Sequence, residues 1–249
     1  MANRILMGTL RIRTRTRTNF RRNIHTIMTD NIAILRLLQF ASPTLPVGAF
    51  AYSQGMESAV HHGYIKNAEQ TQAWVSGVLS NNIGKLDLPF LKSLYEAITA
   101  NEFATVDQLN QQIISFRETT EIRQESTQMG KALRRLLIDM QLWDEHMPAK
   151  EIDWTTAFAL MAVSNNLSVN DCLLAHAWSW CENQVAAAIK LVPLGQTEGQ
   201  KILYQLSLEL VDVVKRALLY EMPKVSSLAF NLSILSSEHE TQYSRLFRS

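Results

Sequence analysis

The sequence predicts an all-α, single-domain helical bundle of about nine or ten helices. Three observations carry that reading. From Asp30 onward apolar residues recur at helical rather than alternating spacing. Every proline (Pro43, Pro46, Pro89, Pro148, Pro193 and Pro223) falls where a helix can begin or end. No β-branched alternating run with a buried face is present, and 9 glycines and 6 prolines in 249 residues are too few for a loop-rich β protein.

The elements follow in order. Ile32, Leu35, Leu38 and then Phe40 give a helical stripe over 30–41, with Asp30 as its cap and Pro43 and Pro46 as its stop. Pro43, Pro46 and Gly48 form a rigid turn that aims a helix over 52–62, with Tyr52, Ser53, Gln54 and Glu57 in its first turns. Asn67 with Gln70 opens a helix over 67–83, and a further one spans 88–100. Thr105 with Gln108 opens a long helix over 105–142, interrupted near Gly130. Helices over 153–165, 168–192 (Ser168 with Asp171), 196–221 and 225–235 complete the bundle. The 168–192 helix, with Leu173, Ala177 and Val185, and the 196–221 helix, with Leu203, Leu210 and Val214, are apolar almost all round, so both are expected in its middle. No internal repeat of fixed period indicates a solenoid.

Composition narrows the class. Apolar residues at 47% and charged residues at 19% are ordinary for a globular chain, and no uncharged apolar run approaches the roughly 18 residues of a membrane span. Two cysteines, Cys172 and Cys181, cannot build a disulfide framework, which points to a reducing, cytoplasmic setting. The net charge of +1 hides an asymmetry. Residues 1–29 carry seven arginines and no acid, +7, which leaves −6 for residues 30–249. Arg11 to Thr18 alternates Arg with Ile or Thr, so neither face can bury. The segment is read as a disordered N-terminal arm, consistent with a start codon upstream of Met28; an organelle-targeting peptide and a nucleic-acid arm are its sharper alternatives. Deleting it is expected to leave folding intact. The chain thus divides into an arm (1–29), a helical domain (30–235) and a C-terminal tail (236–249).

A search for catalytic chemistry finds no complete constellation. Ala51-Tyr52-Ser53-Gln54-Gly55 is one residue from a nucleophile elbow, but the prolines before it prevent the required strand. Cys172 and His176 share a helix face, whereas Cys181 points to the opposite side, so one helix cannot supply three ligands. Buried core cysteines and a hydrogen-bonded histidine are the simpler reading. Adjacent His61 and His62 diverge by about 100° on a helix and suit a helix end. Glu238-His239-Glu240 is a looser ligand set without a second histidine, read as a solvated tail. Neither a Gly-x-x-x-x-Gly-Lys-Ser/Thr loop nor a Gly-x-Gly-x-x-Gly turn occurs. The residues therefore favour a binding or scaffolding role over an enzyme.

Leu45 to Glu57, Lys190 to Gln196 and His239 to Ser249 are three segments that together resemble the UreF family of urease accessory proteins. Leu45-Pro46-Val47-Gly48-Ala49-Phe50-Ala51-Tyr52-Ser53-Gln54-Gly55-Met56-Glu57 is similar to that family's Leu-Pro-x-Gly-Gly-Phe/Tyr-x-x-Ser-x-Gly-Leu-Glu motif, with Ala49 for the second glycine and Met56 for leucine. Lys190-Leu191-Val192-Pro193-Leu194-Gly195-Gln196 resembles its Lys/Arg-Leu-x-Pro-Leu/Phe-Gly-Gln turn. His239-Glu240-Thr241-Gln242-Tyr243-Ser244-Arg245-Leu246-Phe247-Arg248-Ser249 looks like its ending almost unchanged. The stretch Glu121 to Gly130 resembles its Arg-x-x-Ser-x-x-x-Gly region. The resemblance implies a dimerising all-α adaptor that assembles with UreD (UreH in some systems) and the GTPase UreG on apo-urease. That adaptor modulates GTP-dependent nickel insertion, with nickel and GTP handled by its partners and no cofactor of its own. Neither nucleic acid nor membrane is an expected partner.

The motif residues Tyr52, Ser53, Gln54, Glu57 and Lys190, and the tail residues His239, Glu240, Tyr243, Arg245, Leu246, Phe247 and Arg248, are the expected partner contacts. Glu57 is equally a solvated helix acid, and Lys190 equally a cation complementing a helix C-terminus. The apolar tail either packs on the body or is an anchor ordered by a partner. Truncation after Ser236 is expected to leave a folded dimer that no longer binds UreD, and alanine at Glu57 or Lys190 to leave the fold intact. The alternatives are a nickel-binding metallochaperone using His239 and the other histidines, and a helical nucleic-acid adaptor using the arginine arm. The −6 body argues against the second.

Overall fold

A computed structural model describes residues 31–148, 150–222 and 229–249. The basic arm and the Asp30 cap lie outside the described residues, as does the start of the helix expected at 225–235. The described residues form helices without a strand, and none of those helices is long and apolar enough to cross a membrane.

Helix α1 covers 31–41, and a single 3-10 turn at Ala49–Ala51 leads to α2, Met56–His61. Helix α3, Ala68–Val78, runs through a π-helical stretch, Leu79–Asp87, into α4, Leu88–Thr99. Then come α5 (Phe103–Ser115), α6 (Thr120–Asp139), α7 (Trp154–Ser164), α8 (Val169–Leu191), α9 (Gln196–Leu218) and α10 (Phe230–Glu240). The caps read from Asn67 and Ser168 are present: their side chains accept from Gln70 N and Asp171 N.

Four boundaries differ from the sequence reading, each for a local reason. Helix α2 starts at Met56 rather than Tyr52, because Gln54 (φ 51°) and Gly55 (φ 74°) are left-handed and hold the motif loop out of the helix. Only Glu57 of the motif's polar residues lies in the helix proper. The long helix breaks at 116–119, not near Gly130, because Thr119 turns extended and its hydroxyl caps α6 by accepting from Ile122 N. Helix α5 begins at Phe103 without a side-chain cap, so Thr105 lies inside its first turn. Helix α10 ends at Glu240, so the boundary drawn at 235/236 falls inside a helix.

The centre of the bundle is α7, whose residues Thr155 through Ala162 are all buried against α4, α6 and α8. Helix α8 packs between α7 and α9, as its apolar circumference requires. Helix α9 does not sit in the middle. Ile202, Leu206, Leu210 and Val213 face inward, but Tyr204, Leu208 and Val211 are exposed. Leu35 and Leu38 of α1 are exposed too, and a groove between α1, α8 and α9 is lined by Leu38, Leu174, Trp178, Leu210 and Val211.

One ion network crosses this core. Arg117, in the α5–α6 break, donates to Asp87 Oδ1 at 2.7 Å and to both oxygens of Asp153 at 3.0 Å. Asp153 also caps α7 by accepting from Thr155 N. Burial alone would weaken the guanidinium's hold on its proton, but Asp153 and Asp87 outweigh it and raise the Arg117 pKa. Burial would likewise push Asp153 up, and Arg117 more than reverses it, so that carboxyl stays below its usual range. The paired charges thus lock α6, α7 and the π-helical stretch together.

Candidate functional site

Three segments far apart in sequence meet at one end of the molecule: the motif loop 48–57, the C-terminal end of α8, and residues 239–249. The acidic face of α6 joins them. Glu57 is the keystone. Its Oε1 accepts from the main-chain N–H of Leu246 at 2.6 Å, and its Oε2 accepts from that of Phe247 at 2.8 Å. His239 lies fully buried between two carboxylates, with Nε2 at 3.1 Å from Glu57 Oε2 and Nδ1 at 2.7 Å from Glu121 Oε2. An imidazole seated this way donates on both sides only when doubly protonated. Arg245 donates to the other Glu121 oxygen at 2.8 Å.

The loop holds the chain end by its main chain. Ser53 N and Ser53 Oγ both donate to the main-chain oxygen of Ser249, at 2.7 and 2.6 Å. Arg248 N donates to Ala51 O at 2.8 Å. Gly55 is needed twice over here: its φ is positive, and a Cβ would stand 3.2 Å from Ser236 N of α10. Ala49, by contrast, takes no left-handed conformation, since the positive φ of this turn falls on Gly48.

Gln54 bridges two helices. It accepts from Trp180 Nε1 of α8 at 2.7 Å and donates to Glu125 Oε1 of α6 at 2.7 Å. Ser249 Oγ donates to the other Glu125 oxygen at 2.8 Å. Burial pushes the Glu125 carboxyl up to about 7, and the hydrogen bonds from Gln54 and Ser249 only partly oppose it. Tyr52 is buried too; its hydroxyl donates to Gln128 at 2.8 Å, and Asn183 Nδ2 donates to its carbonyl. Lys190 is exposed, and its ammonium sits 5.5 Å from the centre of the Phe247 ring, which is itself buried.

The twelve sequence-derived residues therefore gather at one place, but they divide into two kinds. Tyr52, Ser53, Glu57, His239 and Phe247 are buried and committed within the chain. Tyr243, Leu246, Arg248, Glu240 and Lys190 face outward, whereas Gln54 is half-buried between Trp180 and Glu125, and Arg245 is exposed but paired with Glu121. The solvated readings of Glu57 and of Glu238-His239-Glu240 fail at Glu57 and His239, because each is enclosed by its hydrogen-bond partners. Glu238 does stay outside, 3.1 Å from His62. Glu121, Glu125, Trp180 and Asn183 were not among the expected residues. The available signal was the four-residue spacing of Glu121 and Glu125 in the polar stretch ending at Gly130, which places two acids on one helix face.

Elsewhere, Cys172 and Cys181 are buried free thiols, and burial pushes both pKa values up. His176 beside them is buried, with its pKa held by burial down to about 4. It meets the Phe158 ring edge-on and lies tilted 6.2 Å from Trp154, and its ring nitrogens have no hydrogen-bond partner, unlike the bonded histidine expected. Among the described residues no group of three or more His, Cys, Asp or Glu is arranged to hold a metal ion.

Comparison with known proteins gives a consistent result. The UreF family model matches residues 65–207. The chain is 41% identical over 223 residues to a urease accessory protein UreF of Marinomonas sp. (strain MWYL1), covering 90% of this chain and 97% of that protein. It is 42% identical over 220 residues to the protein of the same name from Teredinibacter turnerae, covering 88% and 100%. A third, from Marinobacter nauticus, is 40% identical over 220 residues, covering 88% and 95%. These relatives are named as accessory proteins to an enzyme, not as enzymes.

Proposed function

Because the chain belongs to the UreF family of urease accessory proteins, we propose that it serves urease maturation as a non-catalytic adaptor. In this reading it bridges UreD (or UreH) and the GTPase UreG on apo-urease in the cytoplasm, and modulates GTP-dependent nickel insertion. Nickel is cargo and GTP is the partner's nucleotide, in keeping with a sequence that has no phosphate-cradling loop.

The observation that carries the adaptor reading is the division of the tail. Its main chain and Phe247 are pinned by Glu57, Ser53 and Ala51, while the Tyr243 side chain is fully exposed and Leu246 is 65% exposed. An aromatic and an aliphatic side chain displayed on a pinned main chain form a pre-organised anchor pair beside the cations of Lys190 and Arg248. UreD is the partner assigned to this end. Tyr243→Ala combined with Leu246→Asp is expected to leave the melting temperature within about 2 °C. The same pair should weaken co-elution with UreD by roughly 30-fold or more, the equivalent of about 2 kcal/mol. Undiminished co-elution on size-exclusion chromatography removes this end from the interface.

The apolar face of α9 supports a second contact, with another copy of the chain. Tyr204, Leu208 and Val211 are exposed on α9 and Leu35 and Leu38 on α1, and Val211 and Leu38 line the same groove, so the two helices leave an apolar surface facing water. Leu208→Asp is expected to yield a folded monomer by sedimentation velocity where the unaltered chain gives a dimer. A dimer that persists in the variant places the homodimer contact elsewhere.

A further inference from the structure

Glu125 differs from the two other carboxylates that hold the tail. Glu57 meets His239 and Glu121 meets both His239 and Arg245, so each has a basic partner in contact. Among the described residues Glu125 has only neutral donors, Gln54 and Ser249, although it is only 4% exposed. Ser249 covers it from the tail. A cavity of about 130 Å³, lined also by Gln54, Trp180 and Asn183, reaches it.

We propose that residues 241–249 form a proton-sensitive strap, whose release from the body is coupled to ionisation of Glu125. The groups around Glu125 do not neutralise it. Arg117, from the α5–α6 break, favours its charge but is bound to Asp87 and Asp153, and Asp87 opposes that charge. Glu121 lies one turn earlier on α6, and His176 on α8 lines the same cavity with its pKa held down to about 4. From the loop, burial and Glu125 itself raise Tyr52, against the opposing pull of Arg248 from the tail. His239 of α10 is spent on Glu57 and Glu121.

The direction follows from linkage. A carboxyl raised by burial gives its full support to the docked state below the ordinary carboxylate range, and loses it as pH climbs through the docked value, here about 7. When the strap lifts, water reaches Glu125 and its ordinary acidity returns. Rising pH therefore favours release up to about 7, and above that the dependence flattens. This strap concerns contacts within one chain, so it stands apart from any partner assignment and is tested without partners.

The test is hydrogen exchange at the amides of Leu246, Phe247 and Arg248 in the full chain, corrected for intrinsic rates, between about pH 5 and about pH 8. Protection is expected to fall by up to about tenfold per pH unit from about pH 5 to about pH 7, then level off. In Glu125→Gln, which keeps the shape of the side chain and its contact with Gln54, that fall should vanish. Carbon-13 glutamate spectra of the unaltered chain supply an independent reading: one carboxyl should titrate near neutrality. Constant protection in the unaltered chain, the same fall in the variant, or a Glu125 carboxyl titrating in the ordinary range overturns the proposal.

Discussion

Truncation after Ser236 is expected to destabilise the isolated chain by several kcal/mol, and not merely to strip it of a partner contact. The cut removes His239 from between Glu57 and Glu121, and removes the main-chain donors of Leu246 and Phe247 from Glu57. It also takes away the Phe247 ring, which belongs to the main hydrophobic core. Losing a buried aromatic side chain alone costs about 3 kcal/mol or more. The three glutamates, newly hydrated, recover part of the remainder. A net loss of about 4 kcal/mol would lower the melting temperature by roughly 10 °C in a domain of this size. Glu57→Ala reaches much of the same effect with one substitution, about 3 kcal/mol, because the buried N–H groups and His239 lose their acceptor together. Lys190→Ala should cost less than about 1 kcal/mol, since an exposed cation–π contact contributes no more than that. Thermal unfolding followed by circular dichroism separates the three. A truncated chain that melts within about 3 °C of the full chain would mean that the core at Glu57 closes without its tail.

That expected outcome is the opposite of the one drawn from sequence, and the reason is physical. Spacing and capping are local, so the helices over α3, α7 and α8 were readable within a residue or two at their starts: Asn67 and Ser168 accept from a backbone N–H three residues on, as read, and Asp153 caps α7 in a way the sequence reading did not name. The tail was not readable in this way. Tyr243, Leu246 and Phe247 look alike in a linear chain, yet Phe247 is 6% exposed and Tyr243 is fully exposed. Which of them faces inward depends on Glu57, nearly two hundred residues earlier. A polar residue is assigned to the surface by default, and Glu57, Glu121, Glu125 and His239 defeat that default by satisfying one another. The resemblance to a family located the right segments, but it could not say which side chains are spent within the chain and which remain for a partner. Likewise α9 reads as apolar all round, while only the fold tells that one side of it is left facing water.

Gly130 shows the same limit most sharply, and it carries the second large effect. In the sequence it reads as a break in a long helix; in the fold it lies in the interior of α6, where the helix crosses the chain leading into α7. A Cβ at this position would stand 2.2 Å from Ile152 O and 2.9 Å from Asp153 C, both main-chain atoms that cannot rotate away. Gly130→Ala gains about 1 kcal/mol of helix propensity but must push α6 off the 152–153 segment. That segment carries Asp153, so the displacement also loosens its contacts with Arg117 and Ser126. We expect a net loss of about 3 kcal/mol or more, read as a fall in the denaturant midpoint or as failure to accumulate folded protein. Gly77→Ala in α3 is the matched control, because nothing lies within 4 Å of its Cβ position. There the same change should be neutral or stabilise by up to about 1 kcal/mol. Equal behaviour of the two variants would mean that α6 and the 152–153 segment can separate freely, and that the contact at Gly130 does not hold α7 in place.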